Sequence, residues 1–182
     1  MTYKCFCFCT SALKENHDSS IISRLLYPSI VSFKNSIFFI VYTMDLTKQA
    51  PRSPRVRLHG LAILPRMIDK CRAEIKGTNG EYHYACPLDQ GLLSFTGVDA
   101  EDFKEQVKLE KSDDELATWF TEKAGIELVD RLVWSNEQCN NYPGLADDPN
   151  DYIVKSMVEL GLDPKKNTSA DWLDVDDWKS YE

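Results

Sequence analysis

From residue 64 onward, hydrophobic positions recur at helical spacing. Ile68, Cys71 and Ile75 fall at i, i+3 and i+7, and Met67 pairs with Cys71. They form one apolar stripe, with Arg66, Asp69, Lys70, Arg72 and Glu74 on the other positions. Pro65 sits at the tolerated first turn, and Gly77 supplies a C-terminal cap. A second helix starts at Pro87, turns Leu88, Leu92 and Phe95 to one side, and ends at Gly97. Asp99 caps a third, built on Phe103 and Val107. Ser112 and Glu115 form a capping box for a fourth, with Leu116, Trp119 and Phe120 inward and Gly125 as its stop. Leu128, Val129, Leu132 and Val133 repeat the spacing within 126–138. Ile153, Met157 and Leu160 do so once more, before Gly161 and Pro164.

Other stretches break the period. Pro51 and Pro54 make 46–58 extended, with Arg52, Arg55 and Arg57 expected to reach outward. Glu81 to Ala85 is short and aromatic and is read as one extended segment. Residues 140–149 are a loop rich in Asn, Pro, Gly and Asp. In the tail, Trp172, Leu173, Val175 and Trp178 alternate with acids. Two tryptophans are costly to leave in water, so the tail is expected to dock. The fold class is therefore all-α or nearly so. Five or six short helices form a small irregular bundle, with an extended N-terminal arm and a docked C-terminal tail.

The first 43 residues differ in character. Their longest apolar run, Ile37 to Tyr42, is six residues, against the roughly 20 that cross a bilayer. A signal peptide would carry its apolar stretch near the start. Residues 1–43 are read as an upstream extension with Met44 as the natural start, the rival reading being a targeting arm. The single helical domain is then 45–182.

Charge sharpens this division. The chain has 21 basic and 29 acidic side chains, for a net −8. Residues 1–44 hold four of the basic and two of the acidic ones, leaving 17 against 27 downstream. Within that part, 45–76 carries eight basic and three acidic residues, so 77–182 stands at −15. Such a surface repels phosphate backbones, and neither nucleic acid nor membrane is an expected partner. Six cysteines are present. Cys71, Cys86 and Cys139 show no paired spacing and read as reduced thiols, which suits a cytoplasmic protein. Cys5, Cys7 and Cys9 lack the spacing and histidines of a zinc site.

Several blocks together resemble a known family. Asp45-Leu46-Thr47, Pro51-Arg52-Ser53-Pro54-Arg55 and Leu64-Pro65-Arg66-Met67-Ile68-Asp69-Lys70 come first. Gly80-Glu81-Tyr82-His83-Tyr84, Cys86-Pro87-Leu88-Asp89, Gly97-Val98-Asp99-Ala100 and Trp172-Leu173-Asp174 follow in order. The sequence is similar to a bacterial family catalogued as Domain of Unknown Function 5069, over about 45–178. The region 126–145 matches loosely. The resemblance implies the boundary near Met44 and brings no reaction, cofactor or catalytic residue.

Two groups of residues carry candidate chemistry. Arg55 and Arg66, with Lys70 one turn on, can grip a small anion. The structural alternative is that these arginines neutralise the acidic remainder of the domain. Asp69, three residues from both Arg66 and Arg72, orients them if it is buried. The second group is Glu81, Tyr84, His83, Cys86 and Asp89. His83 offers an acid or base, Cys86 a nucleophile and Asp89 a carboxylate. The structural alternative is a histidine with one hydrogen bond and a cysteine packed beside Pro87. His83, Cys86 and Asp89 match no established metal spacing, and no metal is assigned. No cofactor is implied, since phosphate-loop, Rossmann, zincin and hydrolase signatures are all missing from the sequence.

Two functions follow. One is an interaction module that meets another protein or its own second copy. The other is a small-anion-binding protein or enzyme using Arg66 and His83. An anion site requires Arg66, His83, Tyr84 and Asp89 to converge on one pocket. An interaction module leaves them scattered or internally paired, with an apolar patch elsewhere.

Overall fold

The computed structural model describes residues 44–143 and 151–182. The proposed extension with its Cys5, Cys7 and Cys9, and residues 144–150 of the Asn/Pro/Gly loop, lie outside the described residues. The described residues form one mostly helical unit in which the first helix is the hub.

That helix, α1, spans Leu64–Lys76. The elements α2 (Pro87–Thr96), α3 (Ala100–Lys108) and α4 (Asp113–Ala124) follow. Then come α5 (Leu128–Cys139), α6 (Tyr152–Glu159) and α7 (Ser169–Lys179). The terminal chemistry is the one expected. Gly77, Gly97 and Gly125 end α1, α2 and α4 in the left-handed conformation. Ser112 and Glu115 exchange the two bonds of a capping box. The seventh helix lies in the tail. Thr168 and Asp171 form a second capping box, which starts α7 where alternation of acids and apolar residues gave no helical period.

The core is built around Met67, Ile68, Leu92, Phe103, Leu116 and Phe120, all fully buried. Phe103 meets Phe120 edge-on, with ring centroids 5.3 Å apart. Phe95 of α2 stacks on Trp134 of α5 at 4.9 Å. These contacts hold α1 to α4 together and seat α5 beside them.

The arm is not the free, outward segment that its prolines suggested. Leu46 is 1% exposed, and its N–H donates to the Thr78 carbonyl at 2.8 Å. Gly80 lets the two backbones approach, because a Cβ there would stand 2.8 Å from the Leu46 carbonyl oxygen. Further on, β1 (Arg57–Leu58) and β2 (Leu61–Ala62) pair antiparallel across a His59-Gly60 turn. Both turn residues have positive φ, as a tight two-residue hairpin of the primed type requires. Ser135 of α5, fully buried, accepts from the Ala62 N–H and donates to the Gly60 carbonyl. One hydroxyl thereby joins hairpin to helix.

Candidate functional site

α1 carries three charged residues in succession that are buried: Arg66, Asp69 and Lys70, at 3%, 1% and 2% exposure. Their spacing puts them on neighbouring positions of one face. A helix buried on a charged face needs a partner for each group, since an unpaired buried charge is expensive. Each of the three finds its partner on a different part of the chain.

Asp69 takes the arm. It accepts from the Arg52 N–H at 3.0 Å, from Arg52 Nε at 2.8 Å and from Arg52 Nη2 at 2.7 Å. Arg52 uses its remaining donors on Asp113 and the Pro65 carbonyl. Asp113 also receives Arg72. Burial pushes the Asp113 carboxyl up, but Arg52 and Arg72 outweigh it and hold it below its ordinary value of 3.8. Arg52 therefore turns inward, on to carboxylates of α1 and α4.

Arg66 takes the tail. Its Nη1 and Nη2 donate to the two oxygens of Asp177 at 2.5 and 3.1 Å. Tyr82 donates its hydroxyl to the same carboxylate at 2.8 Å, and the guanidinium lies 5.6 Å above the Tyr82 ring. Burial and the Asp177 charge both push the Tyr82 phenol far up. Arg55 secures the other end of α7, through Asp171, Asp174 and the Thr168 hydroxyl. The tail docks as expected, though by carboxylates more than by tryptophans: Trp178 remains 62% exposed.

Lys70 takes the start of α2. Its Nζ stands 2.8 Å from Asp89 Oδ1 and 3.0 Å from Cys86 Sγ. Asp89 is completely buried. Burial pushes its carboxyl up, against the pull of Lys70 and Arg66. Ala85, at φ 55, bends the chain so that Cys86 becomes the N-cap of α2.

The remaining candidates go elsewhere. His83 and Glu81 are exposed. Glu81–Ala85 is not a strand: turns at Glu81 and at Tyr84–Ala85 flank the irregular Tyr82 and His83. Tyr84 is a core residue, packed on Phe103 with its hydroxyl donated to the Ala100 carbonyl at 2.7 Å. Burial drives its phenol far up. Thus Arg66, Asp69, Lys70, Cys86 and Asp89 gather around α1, while His83, Glu81, Tyr84 and Arg55 do not join them. Among the described residues no three metal-ligating side chains form a group. A shallow cleft between Pro54, Ile63, Leu88, Cys139, Ala170 and Leu173 has a cavity volume of about 20 Å³. That is far below the ~300–1,000 Å³ of ordinary ligand sites, and none of the candidate residues lines it.

A family model described as a domain of unknown function, DUF5069, matches residues 48–179. The chain belongs to this family. No curated protein matches it. The DUF5069 match covers most of the arm, α1, α2 and all of α7, the parts that the buried charges join. Asp177, which pairs with Arg66, Asp113, which pairs with Arg52 and Arg72, Thr168, which accepts from Arg55, and the hairpin tie Ser135 were not foreseen from the sequence. For Thr168 the signal was present, as a Thr-x-x-Asp capping pattern. For Asp177 it was only one acid among many.

Among the described residues, one apolar surface is left largely exposed. Leu128, Val129, Leu132 and Val133 on α5 are 51%, 63%, 36% and 50% exposed. At i, i+1, i+4 and i+5 they form a single apolar strip. The exposed acids Asp130 and Glu137 stand on the same helix, and Glu127 is its N-cap. No described helix is long and apolar enough to cross a membrane.

Proposed function

We propose that this domain is a cytosolic interaction module, and that its contact surface is the outer strip of α5. The observation that carries this reading is the contrast between charge and apolar surface. Arg55, Arg66, Asp69, Lys70 and Asp89 are consumed in internal pairs, while four adjacent large aliphatic side chains stay exposed. Contiguous apolar surface bordered by polar residues is the mark of a protein contact.

The occupant we assign is a basic, amphipathic segment of another protein. The acids on α5 and the −15 charge of residues 77–182 attract such a segment. They also repel a second acidic copy of this chain. The three described cysteines, Cys71, Cys86 and Cys139, are free thiols, which supports a reducing compartment.

The test uses a designed helical peptide of lysine and leucine as probe, titrated into the full chain by calorimetry. Binding should weaken with salt and fall at least about tenfold, or ~1.4 kcal/mol, in Val129→Glu and Val133→Glu. Binding that ignores both substitutions contradicts the assignment. Light scattering adds a second arm: a wild-type dimer that Val133→Glu dissolves would give the strip to a second copy instead.

The small-anion reading keeps one specific observation. Arg55 and Arg66 already hold carboxylates, those of α7. An anion could take their place only by displacing the tail, and His83, being exposed and apart, would not assist.

A further inference from the structure

Lys70 and Cys86 make a contact that neither the core nor the arm and tail require. The Lys70 side chain is 3% exposed and that of Asp89 is fully enclosed. Cys86 is half-buried, so the residue keeps some contact with solvent. Nζ and Sγ are 3.0 Å apart, with Asp89 Oδ1 on the same nitrogen at 2.8 Å. Neither oxygen of Asp89 has a well-directed hydrogen bond among the described residues. Burial of that carboxyl favours its neutral form. A carboxylate inclined to accept a proton, an amine and a half-buried thiol thus stand in series.

We propose that Lys70 and Cys86 are a covalent modification site, closing to a reversible sulfur–nitrogen bond when a hydroperoxide oxidises Cys86. In the first step the Cys86 sulfur attacks the peroxide oxygen. The O–O bond breaks, an alcohol or water leaves, and the thiol becomes a sulfenic acid. In the second step Asp89 takes a proton from the Lys70 ammonium. The free amine attacks the sulfenic sulfur, the S–O bond breaks, and the departing hydroxide leaves as water with the amine's second proton. The product is Cys86 Sγ bonded to Lys70 Nζ, with Asp89 protonated. Sulfenic acids are known to condense with nitrogen in this manner when the nitrogen is held against them. Reduction reverses it. One thiol cleaves the S–N bond to give a mixed disulfide and the free amine, and a second thiol releases Cys86. The bond ties the middle of α1 to the first turn of α2 and replaces a buried ion pair with a neutral link.

The test is peptide mapping of the full chain after hydrogen peroxide treatment, without reduction. The expected product is a joined pair of peptides containing Lys70 and Cys86, lighter than their sum by one H₂. Trypsin should no longer cut after Lys70, and dithiothreitol should restore the cut. Cys86→Ser and Lys70→Arg should each abolish the joined pair. The oxidised wild type should melt at a higher temperature than the reduced form, since the link shortens the free loop of the unfolded chain. If Lys70→Arg does not fold, the wild-type map decides alone. Cys86 recovered as a dimedone adduct or a sulfinic acid, with Lys70 still cleavable, overturns the proposal. So does a Cys86 that remains a thiol while the half-buried Cys139 is oxidised.

Discussion

Asp69 shows how much one side chain can be asked to hold. It receives three hydrogen bonds from Arg52, at 1% exposure, from the middle of a helix. Asp69→Ala leaves the Arg52 guanidinium without its main counter-charge in a half-dry site. Loss of one partner of a buried pair costs about 3–5 kcal/mol, and urea denaturation of the variant should show a loss of that size. Ser135 is the neutral counterpart. Ser135→Ala strands both the Ala62 N–H and the Gly60 carbonyl. The expected loss is about 1–3 kcal/mol, with amide exchange of Ala62 rising well above that of the α1 core. A small residue matters just as much at Gly80. Its φ is +55, and a Cβ there meets the Leu46 carbonyl at 2.8 Å. Gly80→Ala should therefore lift the arm, seen as faster exchange of the Leu46 amide, and leave α3 and α4 unchanged.

Among the elements, those whose stripes face a common core were legible in the sequence, and those held by charge were not. Met67, Ile68 and Cys71 announced α1, and Phe103 with Val107 announced α3. Periodicity also found α5 but could not say which of its faces is buried. Trp134 and Ser135 turn inward, and Val129 and Val133, two of the residues that showed the spacing, turn out. The tail misled for a related reason. Its helix has no apolar stripe, so only the Thr168–Asp171 capping box marks it, and carboxylates do the docking. That mode of attachment is sensitive to acid. Asp113 and Asp171 are partly shielded from water, which raises their carboxyls, but Arg52 and Arg72 outweigh this at Asp113. The Thr168 bonds and Arg55 do so at Asp171, and both end below 3.8. Groups lowered in the folded state add stability that is complete above their unfolded values. It drains away as pH falls through the folded ones. Urea midpoints should therefore fall below about pH 4, and less steeply in Asp113→Asn than in the wild type. Asp89, raised by burial, acts in the opposite sense and loses stability as pH climbs through its folded value.

For the whole molecule, the decisive information was three-dimensional. Sequence showed that a +5 segment and a −15 segment share one domain, and that Arg66, Asp69 and Lys70 share one helix. It could not show that each of the three reaches a different part of the chain, because those partners lie 111, 17 and 19 residues away. Nor could it separate Asp177 from the other acids of the tail. The buried charges act as the fastenings of this domain, and the α5 strip stays exposed. A double-mutant cycle on Arg66 and Asp177, read as unfolding free energy, tests this most directly. Arg66→Met and Asp177→Leu should each cost about 3–5 kcal/mol, because each leaves a buried charge unpaired. The double variant should recover much of the loss, giving a coupling of at least about 1 kcal/mol. An Arg66→Met that is as stable as wild type, or more so, would contradict the account. It would mark Arg66 as a residue kept for a ligand at the expense of the fold.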